Sequence, residues 1–252
     1  MGEALLGGLI SKGWAEAEAM HIVEPDSDRR SYLQTELHGV TIGIEPLEGV
    51  DALIAVKPHI VLEVCSSLRK AAVTRVLSIA AGITLSSLED ELGPHTSVLR
   101  AMPNTPSLVG QGAAGLASGS LASSDDLNWG VSILSAVGGV VVVEESDLDA
   151  VTGISGSGPA YVFLLAEKLI EAAKSEGLTH QVAVELTERT LLGAATLLRE
   201  SDESPSVLRE NVTSKGGTTA AGLAVFEEAN FSELIKKVVN AAANRSRELG
   251  AS

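Results

Sequence analysis

ALIAVKPH, residues 52–59, is the stretch that decides the fold class, because a continuously apolar run ends directly in Lys57-Pro58. Similar apolar runs recur at residues 21–24, 76–81, 98–102 and 140–143, with helix-like patterns at 28–37 and 124–137. This alternation of strands and helices predicts a parallel α/β sheet. Strands so uniformly apolar are typical of doubly wound folds, where helices cover both faces of the sheet. We therefore expect a Rossmann-like first half.

The second half of the chain has a different character. After Asp149 no strand pattern follows, and GISGSGP, residues 153–159, opens a long helical stretch. At 252 residues with 45% hydrophobic content, the chain has room for two domains with buried cores. We expect a Rossmann-like domain at residues 1–148 and an all-helical domain at residues 149–252.

The helix pattern that begins at Ala160 is apolar nearly all round through Ala166. Such a helix is expected where a second subunit covers the face that its own domain leaves open. The pattern predicts a homodimer or a larger homo-oligomer built from dimers. An ordinary core helix within one chain is the alternative.

Charge and composition limit the class of partner. The net charge is -15 and the pI is near 4.7, whereas nucleic acids and anionic membrane surfaces require basic patches. No apolar run has membrane-spanning length, and the first residues lack the basic lead region of a signal peptide. The single cysteine, Cys65, lies in an apolar run and is expected to be a core residue in a reducing compartment. These observations predict a soluble cytoplasmic protein without a nucleic-acid or membrane partner.

Gly2 precedes the first helix pattern, as the last glycine of a dinucleotide-binding turn does, but the strand and earlier glycines of such a turn are missing. The predicted strand at residues 21–24 ends in Glu24, about where a Rossmann fold contacts the adenosine ribose. Glu24 favours NAD, whereas Arg29 and Arg30 offer charge for the extra phosphate of NADP. We expect one of these two cofactors, with the preference open. For both arginines, a solvated helix turn is the alternative.

Other candidate cofactor residues follow the predicted strands, because ligands of open α/β sheets bind outside the carboxyl ends of strands. Lys57 follows one strand, and Ala80-Ala81-Gly82 and Asn104 follow two later ones. Small residues such as Ala81 allow a nicotinamide ring close to the backbone. Lys57, Ala81 and Asn104 are therefore predicted to contact the cofactor.

TSKGGTT, residues 213–219, precedes an alanine-rich helix pattern. Free N–H groups and hydroxyls converge at the start of such a helix, and the helix dipole adds attraction for an anion. The segment predicts a carboxylate or phosphate site. A plain glycine-rich turn with a threonine N-cap is the alternative.

Together these motifs resemble the pyrroline-5-carboxylate reductase family, whose members make L-proline from Δ1-pyrroline-5-carboxylate with NADPH or NADH. The resemblance spans the whole chain. The segments that carry it are Met1-Gly2-Glu3-Ala4-Leu5, Val56-Lys57-Pro58, Ala80-Ala81-Gly82, and residues 100–106, 155–161 and 212–219. The helical second domain of this family joins two subunits, which agrees with the apolar helix from Ala160.

The resemblance implies roles for individual residues. Those that border the cofactor are Val56, Lys57, Pro58 and Ala81, and those that hold the substrate carboxylate are Ser214, Gly216, Gly217, Thr218 and Thr219. Thr219 is also implied as the contact of the ring nitrogen. No covalent nucleophile is expected, because a protonated cyclic imine accepts hydride directly. Asp202 stands where the family tends to have a glutamate near the substrate amine.

Two departures from the family concern the cofactor half. Asp26 stands where members that use NADP often carry a small polar residue. Members of the family also begin with a strand and a Gly-x-Gly that this sequence lacks. That strand is central in a Rossmann sheet, so its absence is expected to leave two neighbouring strands with unpaired backbone groups. We therefore hypothesise that the natural protein begins upstream of Met1. A reductase of another small imino or keto acid, and a non-catalytic homologue, stay open as alternatives.

Overall fold

The computed structural model describes residues 1–250, which form two compact units. The first unit comprises Met1–Ser157 together with the residues from Asn240 onward, and the second is Gly158–Val239. No pattern in the sequence indicates that the end of the chain returns to the first unit. The boundary between residues 148 and 149 stays a prediction.

Strands and helices alternate in the first unit, and the second unit is helical. The strands of the described residues are β1 (His21–Val23), β2 (Thr41–Gly43), β3 (Asp51–Ile54), β4 (Arg75–Ser78), β5 (Ser97–Met102), β6 (Gly112–Ser118) and β7 (Gly138–Val142). Their α-helices are α1 (Gly2–Ser11), α2 (Ser27–Glu36), α3 (Val61–Lys70), α4 (Leu85–Leu92), α5 (Ser124–Ser135), α6 (Leu148–Val151), α7 (Gly158–Ser175), α8 (His180–Glu200), α9 (Pro205–Asn211), α10 (Thr218–Glu228) and α11 (Phe231–Gly250). This order confirms the predicted fold class.

The larger sheet has the strand order β3-β4-β5-β6-β7. Strands β3, β4 and β5 are parallel, as predicted, but β6 is antiparallel to β5 and parallel to β7. The predicted parallel sheet is confirmed, with one antiparallel pairing at β6 that the sequence reading did not foresee. Its sequence, GAAGLAS, has none of the β-branched or aromatic residues that mark a strand, so the sequence reading passed over it.

Strands β1 and β2 form a separate two-stranded parallel sheet. β1 pairs with β2, and β3 pairs with β4, so each sheet ends at a strand that would flank the first strand of a Rossmann fold. Within residues 1–250, no strand joins β1 to β3. The predicted break in the sheet is thus present.

The observed strands end earlier than the sequence predicts. β3 ends at Ile54 rather than residue 56, and β4 ends at Ser78 rather than residue 81. The residues beyond them belong to loops, although their apolar side chains continue the strand pattern. Consequently Val56 and Ala81 lie in loops past the strand ends, where ligand contacts are made in this fold class.

The core of the first unit has two layers, one on each face of the larger sheet. Alternate side chains of a strand point to opposite faces: Val76 of β4 belongs to the layer with α3 and α4, whereas Leu77 belongs to the layer with α1 and α5. Val98 and Leu99 of β5 divide in the same way, and all four side chains are fully buried. Helices therefore cover both faces, as the uniformly apolar strands predicted.

The second unit buries very little of its apolar surface within this chain. Among its residues only Ala183 and Thr187 of α8 are buried, while Phe163 of α7 is 62% exposed and Leu192 of α8 is 70% exposed. Single exposed apolar residues are ordinary, but a contiguous apolar helix surface marks an interaction site. None of the helices within residues 1–250 is long and apolar enough to cross a membrane.

The last part of α11, from Asn240, belongs to the first unit and packs on other elements of that unit. The Ser246 hydroxyl donates a hydrogen bond of 2.6 Å to Asp149 of α6, although the two residues are 97 positions apart. A Cβ atom placed on Gly82 would lie 3.2 Å from the carbonyl oxygen of Leu249. The end of α11 therefore lies against the loop that follows β4.

Candidate functional site

The loops predicted to contact a cofactor leave the larger sheet at one edge. Ile54 pairs with Ser78, and Ser78 pairs with Arg100, so the carboxyl ends of β3, β4 and β5 are neighbours. The backbone N–H of Ile79 extends this pattern by donating to the carbonyl of Ile54 at 3.0 Å. The loops that follow β3, β4 and β5 therefore leave the sheet at the same edge.

Gly2 lies close to this edge. A Cβ atom at Gly2 would stand 2.9 Å from the Cβ of Ala55, which follows β3, so a larger residue would push the helix away. Glycine is required here for close packing of α1 against the residue that follows β3. No side chain caps the start of helix α1, where the first backbone N–H groups also have no partner within the helix.

Val56, Lys57 and Pro58 follow β3 in an irregular turn. Val56 is half-buried, whereas Lys57 and Pro58 are exposed, and Pro58 begins a short 3-10 helix. A lysine exposed beside a strand end offers a mobile positive charge to an anionic ligand. Ala81 is half-buried, and Gly82 next to it has a positive φ of 76°, a conformation that favours glycine.

Asn104 was predicted to bind cofactor, and the structure gives its side chain two internal partners. Its Nδ2 donates to the carbonyl of Ser155, and its Oδ1 accepts from the N–H of Ala113, each at 2.9 Å. Ser155 belongs to the π-helix Thr152–Gly156, and Ala113 belongs to β6. Asn104 is 8% exposed and braces these two segments, so a direct cofactor contact stays a prediction.

Glu24 follows β1 directly and begins a turn rich in carboxylates. Its Oε1 accepts from the N–H of Asp26 at 3.0 Å, and Asp26 in turn caps α2 by accepting from the N–H of Arg29 at 2.7 Å. The Arg29 guanidinium forms an ion pair with Glu3 of α1. The hydrogen bond that Arg29 donates to Glu3 raises the pKa of Arg29. The sequence analysis did not single out Glu3, because an acidic residue in the first turn of a helix is common. Its partner Arg29 also lies 26 residues away along the chain.

Residues 213–217 form a tight turn between α9 and α10, and Thr218 and Thr219 begin α10. Gly216 has a φ of 71°, which favours glycine, and Gly217 is the N-cap of α10, with no side-chain hydrogen bond to the first turn. The threonine N-cap that the sequence left open is therefore not formed. Thr218 and Thr219 are exposed in the first turn, where backbone N–H groups have no helical partner.

The geometry of this turn depends on both glycines. The N–H of Gly217 donates to the carbonyl of Ser214 at 3.0 Å, and a Cβ atom on Gly217 would lie 2.3 Å from the Ser214 hydroxyl. The turn therefore gathers a hydroxyl, two threonines and uncapped N–H groups at one helix start. Asp202 is exposed in the loop that joins α8 to α9.

Metal and thiol chemistry find no support in the described residues. Among residues 1–250, no three histidine, cysteine, aspartate or glutamate side chains cluster as metal ligands do. Cys65 is fully buried in the core between α3 and the sheet, and this burial raises the pKa of its thiol to about 11. A thiol so rarely ionised is a poor nucleophile.

Comparison with known proteins joins these features to one family. Residues 145–249 match the family model for pyrroline-5-carboxylate reductase dimerisation. The pyrroline-5-carboxylate reductase of Synechocystis sp. is 41% identical over 255 aligned positions, covering 99% of this chain and 95% of the relative. The enzyme of the same name from Pseudomonas aeruginosa is 38% identical, covering 99% and 93%.

Solved structures agree with the sequence relatives. A pyrroline-5-carboxylate reductase from Coxiella burnetii superposes with a TM-score of 0.92 at 38% identity, covering 98% of this chain and 94% of that chain. Plasmodium falciparum pyrroline carboxylate reductase with NADP bound has a TM-score of 0.84 at 28% identity, covering 99% and 94%. The resemblance inferred from the motifs is confirmed, and the chain belongs to the pyrroline-5-carboxylate reductase family.

Proposed function

We propose that this protein reduces the C=N bond of Δ1-pyrroline-5-carboxylate with NADPH or NADH and releases L-proline. The observation that carries the proposal is the glycine-capped start of α10, within a chain that is 41% identical to a reductase of this name. A helix start with no side-chain cap leaves backbone donors for the carboxylate of a substrate.

The substrate carboxylate binds to the turn that precedes α10. The groups that hold it are Ser214, Gly216, Gly217, Thr218 and Thr219. Backbone N–H groups suit a carboxylate because they donate without a charge of their own, and the helix dipole adds attraction at this end. Thr219 is the catalytic residue in this proposal, because its hydroxyl also contacts the ring nitrogen. Asp202 is a second candidate contact of the amine.

The reaction needs no covalent intermediate with the protein. The imine nitrogen carries a proton, the imine carbon accepts a hydride, and the product is the secondary amine of proline. Fixing the ring by its carboxylate converts an encounter of two molecules into a step within one complex, which supplies much of the acceleration. The protein therefore requires an anion seat and an orienting hydroxyl rather than a nucleophile.

The residues of the first unit fit a nicotinamide dinucleotide. Gly2 allows α1 to begin within contact of Ala55, and the helix start has no side-chain cap to compete with a phosphate. Val56, Lys57, Pro58 and Ala81 would hold the cofactor at the edge where β3 and β4 end. When bound, the reduced nicotinamide supplies the hydride.

We also propose a homodimer formed through the second unit. The match of residues 145–249 to a dimerisation model supports a homo-oligomer. Within one chain, none of the residues of α7 or α10 is buried, although both helices are rich in apolar side chains. A second copy of the unit would remove that surface from water. The predicted cytoplasmic location stays a prediction.

Thr219→Ala tests the carboxylate seat. Without its hydroxyl, we expect the KM for pyrroline-5-carboxylate to rise by about tenfold or more, with the KM for NADPH or NADH changed less than about twofold. The measurement is the decrease in absorbance of the reduced nicotinamide at varied concentrations of each substrate. Thr35→Ala is the control, because Thr35 is an exposed threonine of α2 whose hydroxyl donates within its own helix.

Two results would contradict the proposal. Equal rises in both KM values for Thr219→Ala would show that residue 219 is not part of a seat for one substrate. Failure of the unmodified protein to oxidise either reduced nicotinamide on addition of pyrroline-5-carboxylate would exclude the activity itself.

A further inference from the structure

The turn after β1 and the start of α1 together form a corner of mixed charge, defined here as residues 24–30 with Glu3. Its sequence, EPDSDRR, has three carboxylates and two arginines, and Glu3 adds a fourth carboxylate. In a dinucleotide-binding fold, the end of the second strand meets the adenosine ribose. NADP carries an extra phosphate on that ribose, whereas NAD has a hydroxyl.

Arg30 is committed to the backbone of the turn. Its Nη1 donates to the carbonyl of Glu24 at 2.8 Å and to the carbonyl of Pro25 at 2.7 Å. These two hydrogen bonds direct the guanidinium toward the main chain and hold the turn in shape. A phosphate would have to compete with them for the same nitrogen.

Arg29 is engaged by a neighbouring helix. Its guanidinium pairs with the carboxylate of Glu3 and lies over the ring of Tyr32, with 4.7 Å from Cζ to the ring centroid. The Tyr32 hydroxyl also donates to Glu3 at 3.4 Å. Glu3 therefore neutralises the arginine that would otherwise be placed to meet a phosphate.

Glu24 has the chemistry to meet a ribose hydroxyl. Its carboxylate has two oxygens, and the hydrogen bond from Asp26 occupies one of them. A carboxylate accepts hydrogen bonds from hydroxyls but repels a phosphate, and Asp26 and Asp28 add two more negative charges to the same turn. The corner thus has acceptors for a diol and no arginine free of an internal partner.

We propose that this corner selects NADH over NADPH, and that Glu3 determines the selectivity by withholding Arg29 from the ribose phosphate. The proposal rests on the proposed function, since it concerns the cofactor of that reaction. Glu3 acts through Arg29 and is a specificity-determining residue rather than a catalytic one.

Binding of NADH and NADPH to the apoprotein, measured by isothermal titration calorimetry, tests the selectivity without reference to turnover. We expect the Kd for NADPH to exceed that for NADH by about tenfold or more, because a dianionic phosphate meets a net negative corner. The difference should narrow as salt is raised, since ions screen exposed charges.

Glu3→Gln tests the role of Glu3. With Arg29 released, we expect the Kd for NADPH to fall by about fivefold, with the Kd for NADH changed less than about twofold. The double variant Glu3→Gln/Arg29→Ala should lose this gain in affinity for NADPH. Asp28→Asn is the control, because it removes one negative charge from the same turn without touching Arg29, and its gain should be smaller.

The outcomes separate the selectivity from the function. If the wild-type protein reduces the imine but binds NADPH more tightly than NADH, the selectivity is overturned and the proposed function is not. If Glu3→Gln and Asp28→Asn gain the same affinity for NADPH, the specific role of Glu3 is overturned. Failure to bind either coenzyme, with no reduction of the imine, overturns the proposed function and this proposal with it.

Discussion

Removal of the Asn104 side chain should destabilise the first unit measurably. Asn104→Ala deletes two hydrogen bonds, one to the carbonyl of Ser155 and one from the N–H of Ala113, both at 2.9 Å. Each such bond contributes about 1 kcal/mol net, so the free energy of unfolding should fall by about 2 kcal/mol. The truncated groups lie in a site that is only 8% exposed, so water replaces the lost partners incompletely.

Urea unfolding followed by tryptophan fluorescence suits this test. The protein has two tryptophans, Trp14 and Trp129, and both belong to the first unit. Trp14 donates to Ser132 of α5 at 2.9 Å, and Trp129 lies under Arg75, so their emission reports the packing of α5. The midpoint and slope of the transition give the free energy of unfolding.

Asn128→Ala is the matched control, because Asn128 is exposed on α5. It should change the free energy by less than about 0.5 kcal/mol. If Asn104→Ala loses no more free energy of unfolding than the control, the stabilising role of the two Asn104 hydrogen bonds is refuted. Unchanged unfolding together with weaker coenzyme binding would instead indicate the direct cofactor contact predicted from the sequence.

Three further substitutions test packing, assembly and pH dependence. Gly82→Ala should lower the free energy of unfolding by about 2 kcal/mol, and the control Gly13→Ala by about 1 kcal/mol. Both glycines have a positive φ, but only at Gly82 would the added Cβ meet a backbone atom, at 3.2 Å. Equal losses in urea unfolding would contradict the contact of Gly82 with α11. Phe163→Glu should shift sedimentation velocity toward monomer, whereas Leu121→Glu, exposed in the first unit, should not. Burial alone would raise the pKa of Asp126, but the hydrogen bonds that its carboxylate accepts at the start of α5 outweigh burial and lower this pKa. The charged carboxylate therefore stabilises the fold at neutral pH, and this stabilisation is lost as the pH falls through the lowered pKa. Asp126→Asn should therefore cost about 1 kcal/mol at neutral pH and nothing in acid, as measured by urea unfolding at several pH values; a cost independent of pH would contradict the assignment.

The sequence predicts those parts of the fold whose residues face one simple environment. β3, β4 and β5 lie between two layers of helices, so nine of their fourteen residues are apolar and the strand pattern is plain. β6 was not predicted because its residues are small, and their size is set by the close packing of neighbouring elements rather than by the apolar environment that marks the other strands. A Cβ atom on Gly115 would lie 2.9 Å from a Val151 methyl group, so α6 packs closely on this strand only where a side chain is missing.

The return of α11 to the first unit is a matter of long-range contact and has no local signal. The amphipathic pattern of Phe231–Gly250 predicts a helix, but a helix pattern does not name its partner. The hydrogen bond from Ser246 to Asp149 depends on two side chains of ordinary surface type. The pairing of Arg29 with Glu3 has no local signal in the sequence for the same reason.

The turn before α10 shows what structure adds to a motif. From the sequence, GGTT was equally compatible with a threonine-capped helix and with an anion seat, since threonine serves both. The cap is Gly217, whose ψ of 175° places it in extended backbone, and Gly216 reaches it through a positive φ. Because glycine has no side-chain acceptor, the first-turn donors keep no internal partner from the cap. The two glycines therefore leave the first-turn donors open for the anion seat that we propose, and Thr218 and Thr219 are its proposed side-chain contacts.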